Sequence, residues 1–125
     1  MTTVTIPNSV TEISYDAFDC CTGLTEVIWN ARNAEYYDGT SYDSPFSNCD
    51  RLTDFVFGEE VEYIPDNLCT KLNSLKNTVI DNSVKSIGKW AFHRCTGLIT
   101  VTIPNSVTEI GAWAFYDCSG LTTVT

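Results

Sequence analysis

The chain has 125 residues, 43% of them hydrophobic, and a formal net charge of −9. That is one ordinary domain with enough apolar content to fill a continuous core, which excludes wholesale disorder. The acidic balance repels phosphate backbones and anionic membranes, arguing against direct nucleic-acid binding, and no apolar run approaches the ~20 residues of a membrane span.

Taken in chain order, the sequence divides into copies of one unit. The copies run over 1–23, 24–51, 52–74, 75–97 and 98–120, with a partial copy at 121–125. The second copy carries five extra residues, and the others repeat at 23. Thr3–Ile13 and Thr100–Ile110 share the same eleven letters, TVTIPNSVTEI. Repetition in phase at this period means one supersecondary unit stacked on itself, a repeat solenoid forming a single domain over 1–125.

Within a unit the apolar letters fall at positions 1, 4, 6, 10, 13, 17, 18 and 21, which in the fifth copy are Leu98, Val101, Ile103, Val107, Ile110, Ala114, Phe115 and Cys118. Positions 4 and 6 alternate with polar neighbours, as in a half-buried strand. Proline at position 7 of the first and fifth copies ends the ladder, because it has no amide to donate. Asn-Ser then turns the chain into a second short extended segment. Gly111 and the following Ala-Phe pair predict a bend and a single helical turn before the next leading Leu.

The pattern LxxVTIPNSVTxIGxxAFxxCxG resembles the BspA-like, or Treponema-type, leucine-rich repeat. It is clear in the first, fourth and fifth copies. The second keeps Leu24, Val27, Phe46 and Cys49, and the third keeps Leu52, Phe55, Phe57, Val61 and Ile64, with Leu68, Cys69 and Leu72 in place of Ala, Phe and Cys. The resemblance implies a right-handed coil with a parallel β-sheet on one face and short strands or single helical turns on the other. It also implies protein binding or adhesion at the cell surface or in secretion. No basic segment followed by an apolar one stands behind Met1, so no signal peptide is expected in this chain.

Positions 3 and 5 should point outward from the sheet. The middle copies there place Ile28, Val56 and Val79 in one row beside Glu26, Asp54 and Asn77, while the outer copies offer only threonine. An apolar row with a polar rim predicts a contact site. The alternative is that these are strand formers with no partner. The enlarged segment Asn33–Pro45 holds Tyr36, Tyr37 and Tyr42 among Ser, Gly and Asp, the chemistry of a recognition loop. The same rings could instead pack back on the flank. Trp90 and Trp113, both at position 16, should stack at the core edge.

Cys21, Cys49, Cys95 and Cys118 share position 21, and Cys69 replaces an inward Phe. Stacked positions sit too far apart for disulfides, so a buried thiol ladder is expected, with Cys20 exposed at position 20. No CxxC pair occurs and there is one histidine, His93, so neither a metal nor any other cofactor is expected. Glu59 and Glu60 fall in a solvated turn, and Cys20 with His93 would lie three coils apart. No enzyme is expected. The leading reading is an interaction module for another protein. The alternatives are an acidic inhibitor of a basic nucleic-acid-binding protein and a structural fragment of a longer array. The inhibitor reading rests on nine of the sixteen acids falling between Glu35 and Asp66. Both ends sit in strand phase without caps, which predicts a homo-oligomer through them.

Overall fold

Every unit opens on an extended segment because its apolar letters alternate there with polar or β-branched ones. The computed structural model describes residues 2–14, 17–33, 35–37 and 44–124, with side chains at all of these except 14, 35–37, 123 and 124. The strands are β1 (Thr2–Ile6), β2 (Glu12–Ser14), β3 (Leu24–Trp29), β4 (Glu35–Tyr37), β5 (Asp54–Phe57), β6 (Tyr63–Ile64), β7 (Asn77–Ile80), β8 (Ser86–Ile87), β9 (Thr100–Val101), β10 (Glu109–Ile110) and β11 (Thr123–Val124). The odd-numbered strands form a six-stranded parallel sheet in the order β1-β3-β5-β7-β9-β11.

Letters equivalent in phase are neighbours in space. Val4 pairs with Val27, Val27 with Phe55 and Phe55 with Thr78, while Ile6, Trp29, Phe57 and Ile80 form the next inward row. The ladder lengthens where position 7 is not proline: the amides of Asn30 and Gly58 donate to Ile6 and Trp29 carbonyls at 2.8 and 2.9 Å. The second extended segments make two smaller parallel sheets, β10-β8-β6 and β2-β4. The five extra residues of the second copy separate them. The amides of Glu62 and Tyr63 consequently bond to the Arg32 carbonyl rather than to β4.

The predicted helical turn is replaced by a chain of reverse turns, and no helix occurs among the described residues. Asn67, Lys71, Trp90, Arg94, Trp113 and Asp117 all have φ between 57° and 65°. That left-handed conformation cannot propagate a right-handed helix. It closes successive turns, with the amides of Leu68, Thr70 and Leu72 donating to the carbonyls of Pro65, Asn67 and Cys69. The amides left over point to the adjacent coil. Asn67, Cys69 and Lys71 donate to Lys89, Ala91 and His93, and Trp90, Phe92 and Arg94 repeat this on Ala112, Ala114 and Tyr116. Turns thus bind coil to coil as strands do.

The inward row is fully buried in the third copy, from Leu52 to Leu72. Cys69 stands where the other copies have Phe, and here the row of rings passes through Phe55 and Phe57, 4.9 Å apart. The rings run the length of the core: Phe18 stacks on Phe46 at 5.0 Å, Phe46 meets Phe55 edge-on at 5.4 Å, and Phe57 meets Phe92 edge-on at 6.0 Å. Phe92 stacks in turn on Phe115 at 5.2 Å. Burial is incomplete in the outer coils, although Ile6 and Ile13 of the first stay buried. Ile110 is exposed despite its inward position, and so is Cys21, which corrects the expected ladder at its first member.

All six thiols are free. Cys49, Cys69 and Cys95 are buried, Cys118 is half-buried and Cys20 is exposed. The ladder is held by thiol donors rather than by sulfur contact: Cys49, Cys95 and Cys118 donate to the carbonyls of Phe18, Cys69 and Phe92 at 3.0–3.1 Å. Burial raises the pKa of Cys69, Cys95 and Cys118, and pushes Cys49 up from its ordinary 9.0 to about 11. Thiolate is the reactive form. A thiol reagent at about pH 8 is therefore expected to modify the exposed pair first and leave Cys49, Cys69 and Cys95 intact, as read by peptide mass spectrometry. Prompt labelling of Cys95 would disprove the packing. The folded chain holds these protons more tightly than the unfolded one. For Cys49 this contribution to stability is complete below pH 9.0 and is lost as pH climbs toward about 11.

Candidate functional site

The sheet register assembles the predicted outward rows. Thr5, Ile28, Val56 and Val79 are consecutive partners across β1, β3, β5 and β7, and Thr3, Glu26, Asp54, Asn77 and Thr100 form the parallel row beside them. Neighbouring members lie about 4.8 Å apart, the spacing of paired strands. Ile28 and Val56 are half-exposed and Val79 is 56% exposed.

The polar row is held in place by its own hydrogen bonds. Thr3 Oγ1 donates to Glu26 Oε1 at 3.3 Å, Asn77 Nδ2 to Asp54 Oδ1 at 3.2 Å, and Thr53 Oγ1 to Asp54 Oδ2 at 2.8 Å. The strip is thus a flat apolar track with a fixed, acidic rail. Among the described residues the strip is open rather than enclosed.

The tyrosine segment is less of a loop than its composition predicts. Residues 35–37 form β4, with Tyr36 paired to Ile13 and Tyr37 to Ser14, and Ser44 and Pro45 are buried. Tyr42 and the side chains of Tyr36 and Tyr37 lie outside the described residues.

Cys20 and His93 sit on different coils. His93 is buried, with Nδ1 3.3 Å from Thr70 Oγ1. Glu59 and Glu60 are exposed, Glu60 Oε2 accepting from Asn8 Nδ2. Among the described residues no cluster of His, Cys, Asp or Glu is gathered as a metal site, and no helix is long and apolar enough to cross a membrane.

A second constellation escaped the residue-by-residue reading. Trp90 stacks on Trp113 as expected, at 5.6 Å and 13°. His93 stacks on Tyr116 alongside, at 5.5 Å and 10°. Each indole also meets the ring of its own coil steeply, Trp90 with His93 at 4.6 Å and 65°, Trp113 with Tyr116 at 4.7 Å and 67°. The pair is not sealed into the core edge, since Trp113 is 52% and Tyr116 is 51% exposed. With Lys71 and Arg94 these rings line an open groove of about 500 Å³. The signal was present at position 19, where His93 and Tyr116 follow in phase beside the tryptophans at 16.

The family described as BspA type Leucine rich repeat region matches residues 1–122 in six copies. Comparison with curated proteins finds no match. Among solved structures, the T. pallidum leucine-rich repeat protein is similar at 29% identity and a TM-score of 0.76, over 98% of this chain and 57% of that one. A leucine-rich cell surface protein from Faecalibacterium prausnitzii is 28% identical with a TM-score of 0.65, over all of this chain and 38% of its own. A leucine-rich repeat protein from Eubacterium ventriosum reaches a TM-score of 0.72 at 25% identity, over 92% of this chain and 30% of that one. The chain thus spans just over half of the T. pallidum protein and less of the other two.

Proposed function

The chain belongs to the BspA-type leucine-rich repeat family, and from that premise we propose that it is an adhesion-type module that binds another protein at the cell surface. The observation that carries this reading is the register of β3, β5 and β7. It lines up Ile28, Val56 and Val79 on solvent beside the fixed rail of Glu26, Asp54 and Asn77. Apolar residues aligned across coils, rather than scattered, form a surface whose covering releases water over a continuous strip. The 33–45 segment with Tyr36, Tyr37 and Tyr42 completes the proposed surface. A second copy against the outer coils belongs to the same proposal, supported by the exposure of Ile110.

Val56→Glu tests this reading. The carboxylate would stand in the middle of the strip, between Ile28 and Val79. Affinity for a captured surface partner is expected to fall at least tenfold, with the circular dichroism spectrum unchanged. Unaltered affinity would remove the strip from the interface. Salt separates the acidic-inhibitor alternative, which predicts a steep loss of binding as ionic strength rises, whereas apolar contact predicts little response.

A further inference from the structure

None of the six side chains around the aromatic groove belongs to a sheet, so the proposed protein-binding strip does not use them. Single exposed rings are ordinary on protein surfaces. Four rings in two stacked pairs, edged by two cations, are a concentrated patch. The local charge also runs against the chain as a whole. Lys71 and Arg94 stand together at position 20 of successive coils, within a molecule of net charge −9. Asp117, one coil further, forms an ion pair with Arg94 at 3.7 Å from Nε, so the rim of Lys71, Arg94 and Asp117 keeps one net positive charge.

His93 adds no third positive charge. Burial, and then the neighbouring Arg94 and Lys71, pull its proton affinity below the ordinary 6.5, so the imidazole is neutral at physiological pH. The groove therefore offers flat apolar rings, hydrogen-bonding edges at the Trp113 indole and the Tyr116 phenol, and a cationic side.

A ligand suited to this groove needs a flat apolar face, hydroxyl-like groups at its edge and an anionic substituent. A pyranose carrying a carboxylate or sulfate has all three. An acidic peptide supplies the charge without the stacking face. The faces open to a sugar are those of Trp113 and Tyr116, since Trp90 and His93 lie stacked against them on the inner side. We propose that this groove binds an acidic oligosaccharide, with sugar faces against the Trp113 and Tyr116 rings and anionic groups at Lys71 and Arg94.

Calorimetric titration with oligogalacturonate, a sulfated dextran oligomer and a neutral galacto-oligosaccharide tests the assignment. At least one acidic probe is expected to bind at least tenfold more tightly than the neutral one, and the stronger of the two identifies carboxylate or sulfate as the anion. Trp113→Ala should weaken that binding at least tenfold. Arg94→Gln should weaken the acidic probe and leave the neutral probe unchanged. Both positions are exposed, so neither substitution opens the core, and Val56→Glu should leave saccharide binding untouched. Failure of both acidic probes at millimolar concentration, equal binding of the neutral probe, or indifference to Trp113→Ala would overturn the proposal. So would preferential binding of a single-stranded oligonucleotide, which would assign the rings to bases instead.

Discussion

Phe92→Ala is expected to cost about 3–5 kcal/mol of folding stability, the range for removing a fully buried aromatic ring. Phe92 is completely buried, stacked on Phe115 and edge-on to Phe57, so its ring joins three consecutive coils. A solenoid's stability is close to a sum of coil and nearest-neighbour terms, and this truncation weakens two junctions at once. Phe18, at the same position in the first coil, is only half-buried and stacks on Phe46 alone among the described rings. Phe18→Ala should cost less than half as much. Denaturant unfolding followed by circular dichroism measures both. Equal losses would mean that junctions in the middle of the stack are no stronger than those at its edge.

Gly88→Ala should be nearly as damaging for the opposite reason, overfilling. A Cβ at this position would lie 2.6 Å from the Asp66 amide nitrogen and 2.7 Å from the Ile64 carbonyl oxygen, and would also meet Asp66 Oδ1. Backbone atoms cannot swing aside as a flexible side chain can. Relief requires the two coils to separate there, yet the Gly88 amide itself donates to the Ile64 carbonyl at 2.8 Å. A loss of about 3 kcal/mol is expected, the upper range for forced overpacking. Gly23→Ala is the control, since its added methyl would meet only Thr2 Oγ1 at 3.8 Å, an ordinary contact. That substitution should stay within about 1 kcal/mol of neutral, with restriction of the unfolded chain working in its favour. If the two variants unfold alike, close approach at position 14 does not set the distance between coils.

Much of the molecule was legible in the letters because a repeat is read against itself. The inward row of the third copy, the neighbour relation of Ile28, Val56 and Val79, and the stacked tryptophans all follow from phase alone. The backbone of the turn side did not. Positions 16 and 20 carry Asn, Trp, Lys, Arg, Asp and Cys, with no glycine to announce a left-handed φ. Nor did alternating polarity predict that β4 would form inside the tyrosine segment, because its pairing partner is β2 in the preceding coil.

The sequence by itself determined the period, the register and which side of each strand faces inward. Those properties depend only on the order of apolar and polar letters along one unit. Tertiary structure alone decided the shape of the turns. Amides that a helix would satisfy within the segment are satisfied by the carbonyls of the next coil, and this coil-to-coil bonding holds the left-handed residues in place. It also carries Trp90, His93, Trp113 and Tyr116 into one groove, because side chains leaving equivalent turns must stack where the backbones stack.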